Sequence, residues 1–165
     1  MRISTKHLLG ECLFNDGKFC RIDIPIRVMA VEDYAKKRAI NNLWWRMQYA
    51  KLWFQWGKGG IDCNEYSGMI VKQMNRMTNM VSAFDYGVFP RIPLIVGNNY
   101  ALKDGSHRLS CHIYYNSKEI PVDVLDTPYY KPSGIDEAIK HLYSDEEWAS
   151  IIEYKNNMLK RYGLS

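Results

Sequence analysis

The sequence predicts an α+β fold, and three observations predict it. Short alternating segments bounded by turn signals read as strands between residues 94 and 125. Apolar residues recurring every three or four positions read as helices over 31–57 and 64–80. Ser144-Asp145-Glu146-Glu147 has capping-box spacing and opens a last helix running to about Arg161. The chain has 165 residues, of which 47% are apolar and 24% charged, enough for a single domain over 1–165 with its own core.

Taken in order, residues 8–28 read as a hairpin leading into a strand. Asn15-Asp16-Gly17 is a turn signal between Leu13-Phe14 and Phe19-Cys20. Cys20 to Val28 then alternates apolar and polar residues, with Pro25 assigning the strand to an edge or a bulge. The helix expected over 31–57 carries one stripe of Trp45, Tyr49, Leu52 and Trp56. A second stripe, Ala39, Leu43, Met47, Ala50 and Phe54, lies on the roughly opposite face. Gly57-Lys58-Gly59-Gly60 ends it. Lacking both Walker spacing and a preceding strand, this run reads as a terminator rather than a phosphate loop.

The helix over 64–80 places Tyr66, Ile70, Met74 and Met77 on one face, and 81–92 read as a loop. Two strands follow, then a helix from about Ser106 to Asn116 and a strand from Ile120 to Leu125. Ser110 and His112 are expected on a polar face of that helix. Pro128 to Gly134 is a linker, and Ser133 is a candidate cap for a helix through Leu142. Residues 31–80 are thus expected as a helical insertion and 133–165 as a C-terminal helical pair around the sheet.

Charge and cysteine content narrow the function. The net charge of +4 is too mild for a nucleic-acid groove and suits an anionic ligand. Cys12, Cys20, Cys63 and Cys111 have no paired C-x-x-C spacing and read as reduced thiols of a cytoplasmic protein. The chain shows no secretory signal and no run long enough for a transmembrane helix.

The segment Asp104-Gly105-Ser106-His107-Arg108 carries the chemistry. A strand-like stretch runs into a turn of small residues, and the turn runs into a helix. A helix start offers unpaired N–H groups and a positive dipole end. Gly105 and Ser106 let a ligand approach the backbone, and His107 and Arg108 add side-chain donors. This combination predicts a phosphate site. Without its flanks the same pentapeptide would read as a tight turn with a capping aspartate.

From Pro93 to Leu125 the sequence, P-L-I-V-G-N-N-Y-A-L-K-D-G-S-H-R-L-S-C-H-I-Y-Y-N-S-K-E-I-P-V-D-V-L, resembles the ParB/sulfiredoxin superfamily over about a fifth of the chain. The resemblance implies a small mixed β-sheet of that type. Sulfiredoxins carry a catalytic cysteine where Ser106 stands, so sulfinic-acid reduction is not expected. About forty residues follow Leu125 without a helix-turn-helix, which counts against a DNA-partition protein. The loop is most similar to that of the free-serine-kinase branch, D-G-x-H-R, which has a glutamate after a proline-containing strand. Ile24-Pro25-Ile26-Arg27-Val28 followed by Glu32 has that pattern.

What this resemblance implies is ATP-dependent phosphoryl transfer to a hydroxyl of a small molecule, an amino acid included; the surplus of aromatics between Trp44 and Trp56 and the missing DNA reader extend the acceptor class to a glycan. Gly105, Ser106, His107 and Arg108 would hold the phosphates of ATP or another nucleotide. Asp104 would serve Mg²⁺ or the acceptor proton, Glu32 would activate the acceptor hydroxyl, and His107 would stabilise developing charge. Glu32 and Asp33 read equally well as the acidic start of a helix. Arg91 and Lys103 could extend the positive surround, and Arg27 could reach the site if its strand borders it.

The aromatics between Trp44 and Trp56 admit core packing, a sugar- or base-stacking wall, or a partner interface, and they cover more than one face. Three other functions stand beside the kinase. They are a CTP- or ATP-binding switch acting in DNA or protein association, a ParB-like nuclease, and a pure interaction module.

Overall fold

The computed structural model describes residues 1–15, 17–36, 63–87, 91–130 and 139–164. They form an α+β fold with a small mixed sheet, as the sequence predicts. Strand β1 (Arg2–Ser4) leads into helix α1 (Thr5–Leu13), then a hairpin of β2 (Phe14–Asn15) and β3 (Lys18–Phe19). Helices α2 (Asp23–Ala35) and α3 (Cys63–Asp85) follow. Strands β4 (Leu94–Val96) and β5 (Leu102–Asp104), helix α4 (Ser106–Tyr114), strand β6 (Glu119–Val124) and helix α5 (Asp145–Arg161) complete the order.

The main sheet runs β1-β6-β4-β5. β6 pairs antiparallel with β1, Ile3 opposite Ile120, and parallel with β4, Leu94 opposite Val122. β4 pairs antiparallel with β5, and an irregularity between Ile95 and Val96 shifts that register. Leu94, Val96, Leu102, Ile120 and Val122 are buried with Leu8, Leu9 and Leu13 of α1 and Leu109 and Ile113 of α4. A second apolar cluster joins α2 to α3 through Ile26, Met29, Met77, Val81 and Phe84. Burying each such side chain contributes roughly 1.5–3 kcal/mol.

Helix α2 belongs to both clusters, through Ile24 and Val28 on one side and Ile26 and Met29 on the other. This corrects the strand expected over 20–28. A helix covered on both sides buries even its polar residues, Asp23, Arg27 and Asp33 among them, so its sequence loses the amphipathic period. Pro25 is its third residue, where the backbone N–H has no helical acceptor, so nothing is lost there. Glu32 and Asp33 consequently lie near the end of this helix, not at its start.

Several smaller expectations shift. The hairpin begins at Phe14 rather than residue 8, because Thr5–Leu13 is helical, its start capped by the Ser4 hydroxyl accepting from His7 N–H. Gly17, at φ 75°, turns the hairpin as the Asn15-Asp16-Gly17 signal predicts. α3 continues through Val81–Asp85, where a loop was expected. α4 stops at Tyr114, two residues short of the expected Asn116, whose φ of 52° leaves the helical region. Ser110 and His112 are buried rather than on a polar face, because α4 is covered by α2 and α3. Ser110 Oγ donates to the Ser106 carbonyl, and His112 Nδ1 meets Ser117 Oγ at 2.9 Å. The capping box at Ser144 forms in full and α5 ends at Arg161 as predicted. The aromatic stretch 44–56, the run Gly57–Gly60 and, of the helix expected from Ser133 through Leu142, residues 133–138 lie outside the described residues.

Candidate functional site

The β5–α4 junction is built around Gly105. Its φ of 106° lies in the left-handed region, and a Cβ there would come within 2.6 Å of Leu94 Cδ2 and 3.0 Å of Arg108 Nη2. Only glycine fits both constraints. The first backbone bond of α4 runs from Leu109 N–H to the Gly105 carbonyl at 2.8 Å. The N–H groups of Ser106, His107 and Arg108 precede that bond and point out of the helix start.

Behind this helix start sits a buried cluster from the β3–α2 junction. Arg21 grips Asp23 with two hydrogen bonds, Nε to Oδ1 at 2.7 Å and Nη2 to Oδ2 at 2.8 Å. The same Nη2 donates to Ser106 Oγ at 3.1 Å. Arg27, one helical turn after Asp23, reaches its carboxylate at 3.4 Å and His107 Nε2 at 3.1 Å. Burial alone would raise the Asp23 carboxyl. The charges and hydrogen bonds of Arg21 and Arg27 outweigh it and hold the group below the usual carboxylate range.

His107 is held neutral. Burial, then the positive charges of Arg27, Arg76 and Arg108, push its pKa down to about 3, with Asp23 opposing weakly. Near neutrality His107 is therefore a hydrogen-bond donor without charge.

Asp104 ends β5 and is 67% exposed. Its Oδ2 accepts from Arg108 Nη2 at 3.1 Å. Arg108 is largely buried, and its Nε has no hydrogen-bond partner among the described residues. Asp104, Gly105, Ser106, His107 and Arg108 all line one cavity of about 720 Å³, a size that admits a nucleotide-sized ligand. α3 supplies Arg76, Asn79, Met80 and Ala83 to the opposite wall, and the segment before β4 supplies Arg91 and Ile92. Arg76, Arg91 and Arg108 make the lining cationic, while Met80, Ala83 and Ile92 add apolar surface.

The structure places the sequence-predicted residues unevenly. The five residues of the 104–108 loop converge, and Arg91 joins them. Lys103 is exposed on β5 and does not line the cavity. Arg27 does reach the loop, but from a helix. Glu32 does not line the cavity: its Oε2 accepts from Tyr154 Oη of α5 at 3.1 Å, and Oε1 pairs with Lys36. Five residues separate Arg27 from Glu32, which puts Glu32 about 140° further round the helix. Arg21, Asp23 and Arg76 were not singled out from the sequence. The Asp23…Arg27 spacing was a usable signal, but only to a reader who had already placed it on a helix.

Among the described residues no group of three His, Cys, Asp or Glu side chains could hold a metal ion, and Asp104 is the single carboxylate among the described cavity-lining residues. Cys12 and Cys111 are free and buried, and burial pushes both thiols up to about 12. No helix among the described residues is long and apolar enough to cross a membrane. No protein-family model, curated protein or solved structure matches the chain.

Proposed function

We propose that the cavity at the start of α4 binds the phosphates of a nucleotide, and that the chain uses it to transfer a phosphoryl group to a hydroxyl. One observation carries this reading. A glycine-turned helix N-terminus and the guanidinium of Arg108 meet in one cavity, with Arg21 and Arg27 buried behind it. Positive charge exceeds negative there, so an anion is the natural occupant.

Arg108 links binding to chemistry. Its Nη2 donates to Asp104, and a phosphate oxygen would compete for the same donor. Release of Asp104 leaves an exposed carboxylate at the rim. In the transfer the acceptor oxygen bonds to the terminal phosphorus, the bond to the bridging phosphate oxygen breaks, and the hydroxyl proton passes to Asp104. If a magnesium ion were bound, Asp104 would hold it instead of taking the proton, and the ion would supply charge neutralisation at the phosphates. Glu32, held by Tyr154 and Lys36, has no part in this proposal. Gly105, Ser106 and Arg108 bind, His107 donates, and Arg91 and Arg76 widen the positive wall. The acceptor is a small molecule or glycan hydroxyl.

Calorimetric titration of ATP, ADP, CTP and GTP, with and without Mg²⁺, tests the binding step against Arg108→Ala. Binding lost in the variant supports the reading. Absence of binding by all four nucleotides overturns it. A second reading, a nucleotide-binding switch with little turnover, is favoured by the single carboxylate at the described wall. Nucleotide-dependent self-association without a phosphorylated product in an acceptor screen would favour that switch.

A further inference from the structure

Arg21 and Asp23 are 2% and 1% exposed, and neither lines the cavity. A buried ion pair of this kind costs desolvation and is weak evidence for stability. Here, moreover, the group is not fully satisfied: Arg21 Nη1 is buried without a hydrogen-bond partner among the described residues. Such an unmet donor costs roughly 1–3 kcal/mol. Simple packing of the β3–α2 junction would be better served by apolar side chains. What the cluster achieves is orientation, because each arginine anchored on Asp23 ends on one residue of the phosphate loop.

The contact to His107 has one chemical solution. Guanidinium nitrogens donate and do not accept. Arg27 Nη1 therefore donates to His107 Nε2, and the imidazole proton resides on Nδ1. We propose that Asp23 is the positioning residue of this site: it clamps Arg21 against Ser106 and Arg27 against His107, which fixes His107 as a neutral Nδ1–H donor for a bound anion. This rests on reading the cavity as an anion site and adds how its floor is held.

The groups facing His107 agree with this role. Arg27 and Asp23 approach from α2, Arg76 from α3 and Arg108 from α4 itself. The arginines supply the charge, so the histidine is left to supply direction. Losing Asp23 would remove the carboxylate that both guanidiniums share, where losing either arginine removes one contact to the loop.

The test reads the tautomer in the ligand-free protein and the affinity separately. Two-bond ¹H–¹⁵N correlation spectra at pH 7 should show His107 of the wild type as a neutral Nδ1–H imidazole. In Arg27→Met the tautomers should mix and the histidine pKa should rise by at least about one unit, the scale of one nearby charge. Asp23→Asn should relax the tautomer in the same way. It should also weaken pyrophosphate binding, measured by calorimetry, about tenfold or more, the scale of one charge-assisted hydrogen bond. If Asp23→Asn does not fold, Asp23→Glu keeps the charge but moves the carboxylate by one methylene, and the same tautomer mixing is expected.

A wild-type His107 that is charged at pH 7, or protonated on Nε2, overturns the inference. So does a folded Asp23 variant that keeps both the pure tautomer and the affinity. Failure of the wild type to bind any nucleotide or pyrophosphate would instead overturn the proposed function. The ligand-free spectra would still decide whether Asp23 sets the tautomer.

Discussion

Arg27 Nη1 lies 3.1 Å from His107 Nε2, across 80 residues of chain, and this contact determines what the histidine can do. The guanidinium can only donate, so the histidine must accept. A charged imidazolium has no acceptor to offer and would face Arg27 with like charge. The pair therefore joins α2 to the 104–108 loop only while His107 is neutral.

Acid should weaken the fold through this neutrality. His107 and His112 have folded-state pKa values lowered to about 3 and about 4, by burial first and by nearby arginines second. The unfolded chain takes up these protons near its ordinary pKa of about 6.5. Stability is then fully present above about 6.5 and is lost as pH falls toward 4. The slope approaches about 1.4 kcal/mol per pH unit for each histidine. Chemical denaturation at a series of pH values should show this fall, and His107→Gln should flatten it.

Asp104→Asn should separate binding from chemistry. Arg108 loses its anionic partner, so metal-free binding of a nucleotide should hold or tighten by a few-fold. Phosphoryl transfer should fall by a factor of about 100 or more, the usual scale of a lost acid–base group. Arg108→Ala should weaken binding by about tenfold to a hundredfold, as loss of a charge-assisted contact does. Calorimetry and a product assay on the two variants check the pair. An Asp104→Asn protein with full turnover would remove Asp104 from the reaction.

Gly105→Ala should be strongly destabilising. The substitution forces a side chain into positive φ and a Cβ to within 2.6 Å of Leu94 Cδ2. A cost of about 2–4 kcal/mol follows from strain and displaced packing together. Thermal unfolding should show a melting temperature lower by roughly 5–15 °C for a chain of this size.

Ser144→Ala should cost about 1 kcal/mol without touching the cavity. Its hydroxyl accepts from Glu147 N–H at 3.2 Å, and the Glu147 carboxylate accepts from Ser144 N–H at 2.8 Å. The melting temperature should drop by about 2–4 °C while nucleotide affinity stays unchanged.

Parts of this molecule were legible before folding was considered. The capping box of α5, the hairpin at Gly17 and the β5–loop–α4 unit all follow from residues close together in the chain. Caps, turns and alternation are short-range effects, so a short-range reading finds them. α2 was not legible for a specific reason. Ile24, Ile26 and Val28, with Ile22 just before the helix, imitate a strand, because α2 is covered by both apolar clusters and buries Asp23 and Arg27 as well.

The sequence by itself determined the loop: Gly105 where a left-handed turn is required, and donors at the first residues of a helix. Only the tertiary structure decided what stands behind and beside that loop. Arg21 meets Ser106 across 85 residues, while Glu32 turns to Tyr154 of α5 across 122. Neither partner choice is encoded locally. Both follow from which face of α2 the apolar clusters leave against α4 and which against α5, and that choice is made only when the core packs.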